Sequence, residues 1–266
     1  MTKLFAPEYD RSPDNLVIFP RDTDIRRRLF PYTDPSEHIA KANMHMVLAL
    51  AEFVSEPGDL ICDPFAGTGT ILVAITIERR VLMFELVETF CGTIELNTIG
   101  VRQTYPAVDE LSNLIQGNAA FILPIPDLCN CMIFSPPYPM GLKKKGTMDK
   151  TSVDLGYSHA TDYSEDMDNF TNMNEFIYHQ KIELFYKKCF QSIIPGGTMT
   201  VIIKDKMKDG VRVMQADRTL RDCLRIGFEL VARNKWLARG GGYSAINRAA
   251  GLETVDDEDL LTLRRP

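Results

Sequence analysis

The chain has 266 residues, of which 45% are hydrophobic and 25% charged, as expected for one large soluble domain or one domain with a modest appendage. It contains no apolar run of about eighteen residues and no apolar signal core at its start, so we predict a cytoplasmic protein without a membrane span. The formal net charge of −6 does not by itself indicate nucleic-acid binding.

The first half of the chain alternates predicted strands and helices. Residues 1–35 are rich in Pro, Asp and Arg, and we predict an irregular lead-in there. Helical spacing of apolar residues predicts a helix from Glu37 to Val54, which the segment EPGD ends. The next predicted elements are a strand at 60–63, a helix from about Thr70, a strand at 81–86, a helix at 89–103, and strands at 114–119 and 130–134.

The second half begins with a polar segment, residues 139–174, that shows no clear period. Because so long a structureless segment in a compact domain is usually functional, we predict an inserted substrate-recognition loop. The elements predicted after it are a helix at 175–194, a strand at 198–205, a helix at 214–228 and a strand at 229–238. Residues 241–266 read as a loop and tail, so the predicted catalytic domain spans 36–240.

Short, continuously apolar strands that alternate with helices predict an α/β domain with a mainly parallel sheet and helices on both faces. Ligands of such sheets bind beyond the carboxyl ends of the strands, where the strand order reverses. The best-marked loops follow Cys62, Phe84 and Phe134, each at a predicted carboxyl end. We therefore expect the functional site at this edge of the sheet.

Two glycines mark the first of these loops, DPFAGTGT at residues 63–70. Gly67 and Gly69 allow the backbone to approach a ligand and to turn sharply into a helix N-terminus. The spacing is not GxGxxG and no GKS or GKT follows, which disfavours dinucleotide and P-loop sites. Asp63 ends the strand and is placed to accept a hydrogen bond from a ligand ammonium group or from ordered water.

Polar residues also end the next two strands. Glu85 occupies the position at which nucleoside-binding folds hold ribose hydroxyls, although a helix cap or a plain surface acid is equally compatible. The side-chain amide of Asn118 could hold an adenine ring, and a turn residue is the alternative.

The fourth strand stops at SPPY, residues 135–138, because neither Pro136 nor Pro137 has an N–H for a strand ladder. Ser135 and Tyr138 are therefore displayed at the carboxyl edge.

These motifs, in this order, resemble the S-adenosylmethionine-dependent amino-methyltransferases over about residues 36–236. The resemblance implies a Rossmann-like class I methyltransferase fold with a sheet of about seven strands. It implies that Glu85 binds the cofactor's ribose and Asn118 its adenine. The implied cofactor-binding residues are Asp63, Phe65, Ala66, Gly67, Thr68, Gly69, Thr70, Glu85, Asn118 and Ser135.

The SPPY tetrapeptide suits methylation of an exocyclic amine, whose lone pair is delocalised into the base. The Ser135 hydroxyl and the Pro136 carbonyl can each accept one N–H, and the rigid prolines, Pro136 and Pro137, fix both acceptors in advance. Tyr138 offers a flat face on which an extruded base can stack. With serine in its first position, the tetrapeptide resembles that of the N4-cytosine DNA methyltransferases, whereas the adenine enzymes mostly carry Asp or Asn in this position.

The chain departs from the family pattern in several ways. The cofactor motif precedes SPPY, Asn118 replaces the more usual aspartate, and HIAKAN at 38–43 matches the family's additional cofactor motif loosely. No large target-recognition domain is present, so residues 139–174 and 240–248 remain to contact double-stranded DNA with a flipped base. We expect phosphate contacts from Lys143, Lys144, Lys145 and Arg248.

Three alternatives stay open: an adenine N6 DNA methyltransferase, an RNA guanine-N2 methyltransferase with the same motif order, and an inactive methyltransferase-like binding subunit. Against the RNA enzyme, Ser135 replaces an acid, and the first 35 residues leave no room for an RNA-binding domain. The only close cysteines, Cys129 and Cys131, form CxC rather than zinc knuckles, so no metal site is predicted. A homodimer and a cognate restriction endonuclease are compatible partners.

Overall fold

The computed structural model describes residues 3–33, 41–138, 170, 173–208, 210–238, 249, 251 and 253–266. The helices of this part of the chain are α1 (Thr23–Leu29), α2 (Met44–Val54), α3 (Glu88–Arg102), α4 (Val108–Leu111), α5 (Ala119–Ile122), α6 (Glu175–Ser192) and α7 (Gln215–Ile226), with a 3₁₀ helix at Thr70–Ile77. The strands are β1 (Leu60–Asp63), β2 (Arg80–Glu85), β3 (Ser112–Gln116), β4 (Cys129–Phe134), β5 (Ile193–Ile203), β6 (Lys206–Lys208), β7 (Val211–Val213), β8 (Glu229–Leu237) and β9 (Asp257–Arg264). None of these helices is long and apolar enough to cross a membrane.

Seven of the described strands form one sheet, in the order β3–β2–β1–β4–β5–β9–β8, while β6 and β7 form a hairpin. Strands β1 to β5 pair in parallel, and β9 runs antiparallel to both β5 and β8. The chain order reverses between β1 and β4, so this edge of the sheet has a switch point at which ligands bind in α/β proteins. The predicted mainly parallel sheet of about seven strands is confirmed.

The sheet is covered on both faces, as predicted. Because successive strand residues point to opposite faces, each central strand contributes to two hydrophobic cores. The first core joins α2, the 3₁₀ helix and α3 to alternate strand residues, among them Ile61, Met83, Ile133, Ile202 and Leu260. The second core joins α6 and α7 to the intervening residues, among them Cys62, Phe84, Phe134, Ile203 and Leu261.

Helix α2 begins later than its apolar pattern predicts. The Asn43 side chain accepts hydrogen bonds from the backbone N–H groups of His45 (2.8 Å) and Met46 (3.3 Å), which caps the helix at Met44. The predicted start at Glu37 is wrong for residues 41–43, which are not helical, and residues 37–40 lie outside the described part of the chain.

The helix after β1 is a 3₁₀ helix rather than an α-helix. It is rich in β-branched residues, which have lower α-helix propensity. Gly69 precedes it at φ +77° and Glu78 follows it at φ +63°, both left-handed. The Leu72 N–H donates to the Gly69 carbonyl at 3.0 Å, the i to i+3 bond of this tighter helix.

The C-terminal residues predicted as loop and tail include a strand of the central sheet. Strand β9 lies between β5 and β8, and Leu260, Leu261 and Leu263 are fully buried. The acidic start of β9 hides this strand in the sequence, yet two of its acids have partners on β8. Asp257 pairs with Lys235 (2.6 Å) and Asp259 with Arg233 (2.6 Å).

The N-terminal residues are more regular than the predicted lead-in. They contain α1, and the buried side chains of Phe5, Val17 and Leu29 belong to the first core. Val17 also extends the sheet beside β8, because its N–H donates to the Lys235 carbonyl at 2.9 Å and its carbonyl accepts from the Leu237 N–H at 2.8 Å. The domain boundary near residue 36 stays a prediction.

Candidate functional site

A pocket of about 420 Å³ lies at the carboxyl edge of the sheet, within the size range of sites for nucleoside-sized ligands. Its walls come from the residues that follow β1, β2, β3 and β4, on both sides of the switch point. The predicted site residues that line it are Asp63, Phe65, Ala66, Gly67, Thr68, Thr70, Glu85, Asn118, Ser135, Pro136, Pro137 and Tyr138. Gly69 does not line it.

The turn after β1 is held by backbone hydrogen bonds. The Phe65 N–H donates to the Asp63 carboxylate at 3.0 Å, and the Ala66 N–H donates to the Phe84 carbonyl at 3.0 Å. Gly67 has φ +55°, and a Cβ built on it would meet no atom within 4 Å, so this glycine opens to free space. A Cβ on Gly69 would lie 3.0 Å from Ile94, so Gly69 permits close packing on α3.

The Glu85 carboxylate bridges two backbone segments of the pocket wall. One oxygen accepts from the Gly67 N–H at 2.7 Å, and the other accepts from the Val87 N–H at 2.8 Å. Because a carboxylate offers about four lone-pair positions, each oxygen keeps capacity for a ligand hydroxyl. The geometry thus fixes the Glu85 side chain at the pocket, and its predicted ribose contact stays a prediction.

Two carboxyl groups share the pocket with raised pKa values. Burial raises the pKa of Asp63 from 3.8 to about 7; the hydrogen bond from Phe65 opposes this rise, and the charge of Glu85 adds to it. Burial also raises the pKa of Glu85, against the hydrogen bonds from Val87 and Gly67. A nearby positive charge would stabilise the ionised form of both carboxylates.

Asn118 lies at the pocket wall after β3 and caps α5. Its side-chain oxygen accepts from the Ala120 N–H at 2.9 Å, which is the helix-cap role of a turn asparagine. Its NH₂ group is the part of the side chain left to meet an adenine acceptor. The predicted adenine contact therefore stays a prediction that rests on the amide nitrogen.

The SPPY segment also lines the pocket. Strand β4 ends at Phe134, and no described strand includes residues 135–138, as the prolines predict. The Tyr138 hydroxyl accepts a hydrogen bond from the Lys204 N–H at 2.7 Å. Burial raises the pKa of Tyr138 well above 10, so this phenol stays neutral.

An aromatic cluster underlies the pocket. The Phe65 ring centroid lies 5.7 Å from that of Phe134, 5.8 Å from that of Phe170 and 4.9 Å from that of Phe185. Phe65 therefore joins the turn after β1 to the second core as well as lining the pocket. Phe170, which comes from the aperiodic segment 139–174, is buried in this cluster and also lines the pocket.

Several pocket residues were not identified from the sequence. Val47 on α2 and Ile202 on β5 reach the pocket from elements whose apolar pattern indicates only burial. Leu86 and Val87 line it directly after Glu85, and their position next to the predicted acid is a signal that could have found them. Phe170 has no such signal, because nothing around it has a period.

Other predicted contacts cannot be placed. Lys143, Lys144, Lys145 and Arg248 lie outside the described residues. Of the HIAKAN segment, His38 also lies outside them, whereas Lys41 lines the pocket. The described residues contain no group of three His, Cys, Asp or Glu side chains arranged for a metal ion.

Comparison with known proteins places the fold. No protein-family model and no curated protein matches the sequence. Solved structures do match, among them TrmN from Thermus thermophilus, with 16% identity over 91% of this chain and 53% of that chain and a TM-score of 0.50. The [4+2]-cyclase SpnF matches with 13% identity over 94% of this chain and 99% of that chain (TM-score 0.54). The glycopeptide N-methyltransferase MtfA, complexed with S-adenosyl-L-homocysteine, matches with 12% identity over 97% and 100% (TM-score 0.52).

The fold is therefore the Rossmann-like class I methyltransferase fold, as the sequence predicts. The chain spans about half the length of TrmN, and identities this low show the fold alone. One of the matching structures is a cyclase, so the same architecture also hosts other chemistry. Function has to be inferred from the pocket.

Proposed function

We propose that the protein is an S-adenosylmethionine-dependent methyltransferase that acts on the exocyclic amino group of a flipped DNA base, with cytosine N4 as the first candidate. One observation carries this proposal. The glycine turn, Glu85 and the SPPY tetrapeptide, which are far apart in the chain, line a single pocket at the switch point of the fold. The turn proposed to bind the cofactor and the acceptor pair proposed to bind the amine therefore line one pocket.

The pocket fits the proposed cofactor on three counts. Gly67 leaves open space where a Cβ would stand, so the backbone can approach a ligand closely. The fixed Glu85 carboxylate keeps lone pairs for ribose hydroxyls, and the pair of desolvated acids, Asp63 and Glu85, favours the cofactor's positive charges. When bound, S-adenosylmethionine supplies an electrophilic methyl group on a sulfonium sulfur.

The chain's own residues then handle the amine. The Ser135 hydroxyl and the Pro136 carbonyl accept its two N–H bonds, which draws the nitrogen towards tetrahedral geometry and frees its lone pair. Pro136 and Pro137 hold these acceptors without reorganisation. The ring of Tyr138 supplies an aromatic surface for the base. After transfer the methylated nitrogen loses one proton, which leaves to solvent, while Ser135 and the Pro136 carbonyl act only as hydrogen-bond acceptors.

A covalent route through cysteine is disfavoured. All six cysteines are buried. Burial raises the pKa values of Cys131, Cys189 and Cys223, so these thiols are held away from the reactive thiolate form. This supports attack by an amine nitrogen rather than methylation at a ring carbon activated by a thiolate.

The proposal also names the base that is methylated and the type of nucleic acid that carries it. Serine in the first position of the tetrapeptide supports cytosine N4 over adenine N6, by resemblance. The RNA guanine-N2 enzyme remains the second polymer candidate, because the order of the two motifs suits it equally. We also propose a cytoplasmic location, with a second copy of the chain or a cognate restriction endonuclease as compatible partners.

The test is transfer of labelled methyl from S-adenosylmethionine to unmodified double-stranded DNA or to transfer RNA, followed by sequencing with modified-base detection. We expect label in DNA, as N4-methylcytosine at a defined sequence, and strongly reduced label with the Ser135→Ala variant. N6-methyladenine would select the second base, and label in RNA alone would overturn the DNA assignment. Cofactor binding without transfer to either polymer would indicate the inactive subunit.

A further inference from the structure

The segment around helix α1 carries arginine side chains that form no ion pair with the described part of the chain. Residues 21–30, RDTDIRRRLF, contain four arginines and two aspartates, in a chain whose formal net charge is −6. Arg26 is buried, whereas Arg21, Arg27 and Arg28 are exposed. No hydrogen bond or ion pair joins the guanidinium groups of these three exposed residues, the α1 arginines, to another described residue.

The buried side of α1 is attached to the wall of the pocket. The Arg26 guanidinium donates to the Ala42 carbonyl at 2.5 Å, and Ala42 lines the pocket. The Asp22 carboxylate accepts from the same guanidinium at 2.8 Å and from the Met44 N–H at 3.0 Å, which joins α1 to the start of α2. Helix α1 therefore lies beside the pocket.

A second connection joins the end of this segment to the glycine turn. The Thr33 hydroxyl donates to the Asn97 side-chain oxygen at 2.8 Å, and the amide of this buried asparagine donates to the Thr68 carbonyl at 2.8 Å. Thr68 lines the pocket. A Cβ built on Gly100 would lie 2.5 Å from the Leu29 carbonyl, so the end of α1 also packs closely on α3. These contacts fix the position of α1 relative to the pocket.

Basic side chains that follow β5 are, by contrast, already paired. Lys206 and Lys208 on β6 bind one carboxylate, that of Glu175, at 3.2 and 3.1 Å. Arg212 on β7 binds two aspartates, at 2.9 and 2.8 Å. An anion that approached these groups would compete with a carboxylate already in place, whereas no described carboxylate pairs with the α1 arginines.

A base that enters the pocket from a duplex brings backbone phosphates to the surface around it. Double-stranded DNA carries one negative charge per about 1.7 Å of its axis, and an acidic chain repels it unless a local positive surface meets these charges. Exposed guanidinium groups suit this contact, because their planar N–H groups match the oxygens of a phosphate.

We propose that the α1 arginines bind the phosphate backbone of double-stranded DNA beside the pocket. This rests on the proposed function, in which the pocket takes a DNA base. The contact positions the duplex and carries no sequence information, since phosphates are the same at every base pair. Asp24 is an exposed acid of α1, and it forms no ion pair with Arg28 one turn later.

The binding test uses a fluorescent DNA duplex, titrated at several salt concentrations, and a variant that combines Arg21→Gln, Arg27→Gln and Arg28→Gln. Each phosphate contact contributes about 0.9 to the slope of log affinity against log salt concentration, so the slope should fall by about two to three. Affinity at low salt should fall about tenfold. Lysine at the same three positions should keep most of the slope, because lysine retains the charge. An unchanged slope in the glutamine variant would overturn the proposal.

The matched control removes three exposed positive charges elsewhere, by Arg80→Gln, Lys187→Gln and Arg221→Gln. Arg80 begins β2 at the amino edge of the sheet, while Lys187 and Arg221 lie on α6 and α7, the helices of the second core. Both variants have the same net charge, so we expect the control to keep the wild-type slope. An equal fall in both would indicate an effect of net charge alone and would overturn the proposal.

Methyl transfer distinguishes this proposal from the proposed function. In the α1 glutamine variant, KM for DNA should rise about tenfold, with kcat and KM for the cofactor within about twofold, because none of the α1 arginines lines the pocket. If the wild type methylates DNA and the variant keeps its KM, the α1 contact is overturned and the proposed function stands. If the wild type binds DNA through α1 but transfers methyl to neither DNA nor RNA, the proposed function alone is overturned.

Discussion

The turns after β1 and β4 end neighbouring strands by opposite means. The first contains two glycines in left-handed conformation. Its backbone N–H groups donate hydrogen bonds to the Glu85 carboxylate and to the Phe84 carbonyl. The second contains two prolines, whose rings restrict the backbone from within, and its tyrosine is tied to Lys204. The first, the glycine turn, has a flexible backbone that hydrogen bonds from neighbouring residues hold in place. The second, the SPPY turn, has a backbone that its own prolines restrict.

This difference follows from what each turn has to do. Glycine exposes backbone N–H groups and permits close approach, which suits an extended polar ligand. Proline removes an N–H and leaves carbonyl oxygens in fixed positions, which suits an acceptor that must not relax when charge develops. We therefore expect changes in the first turn to affect binding and stability, and changes in the second to affect turnover.

The largest expected effect is a loss of turnover when the SPPY turn is changed. Ser135→Ala removes one of the two proposed amine acceptors, and loss of one preorganised hydrogen-bonding group lowers kcat by about 100- to 1000-fold. The dissociation constant for S-adenosylmethionine, measured by calorimetry, should stay within about twofold, because the glycine turn and Glu85 are untouched. An equal loss of cofactor affinity would erase the division of roles between the two turns.

Glu85→Ala tests the hydrogen bonds by which the Glu85 carboxylate stabilises the glycine turn. It leaves the Gly67 and Val87 N–H groups without their acceptor, so we expect the free energy of unfolding to fall by about 2–4 kcal/mol and cofactor affinity to fall with it. The control is Glu88→Ala, an exposed acid in the first turn of α3, which should cost less than about 1 kcal/mol. Urea denaturation of both variants without cofactor measures the two losses, and equal losses would contradict a specific role of Glu85 in the glycine turn.

Asp63→Asn tests the charge of Asp63, at the start of the glycine turn, through the pH dependence of stability. The folded-state pKa of Asp63 is raised from 3.8 to about 7, so its favourable contribution is present below pH 3.8 and is lost as the pH rises through 7. The asparagine variant stays neutral, and we expect it to be more stable than the wild type at pH 8, by about 1–3 kcal/mol. At pH 4 the two proteins should unfold at the same urea concentration, and a constant difference across this range would contradict the assignment.

The smallest effect separates the two glycines. Gly69→Ala adds a left-handed alanine whose Cβ lies 3.0 Å from Ile94, so it should cost about 1 kcal/mol more than Gly67→Ala, which meets no atom within 4 Å. Cofactor affinity should show the reverse order, because Gly67 lines the pocket and Gly69 does not. The same ranking in both measurements would contradict the placement of these glycines.

Much of the fold could be predicted because central parallel strands are buried on both faces. Strands such as β1 and β4 are continuous apolar runs, and the turn residues that follow them mark their ends. Asp63, Glu85 and Ser135 could be brought together in advance, since the carboxyl ends of parallel strands meet at one edge. Local composition was sufficient for this part of the site.

Features that depend on distant partners could not be predicted. The Tyr138 hydroxyl is bound by a backbone amide 66 residues away, and a backbone donor has no signature in the sequence. The acids of β9 resemble a solvated tail until Arg233 and Lys235 are seen beside them on β8. Phe170 gains its place from three other aromatic rings rather than from its own neighbours in the chain.

The place of β9 in the sheet also bears on how the molecule is made. Strand β8 reaches the sheet through β9, although β8 is synthesised first. Until Arg264 has left the ribosome, β5 keeps an open edge and β8 lacks its main pairing partner. This half of the sheet therefore assembles last, because β9 is synthesised after the other strands, while β1, β2 and β4 can pair earlier.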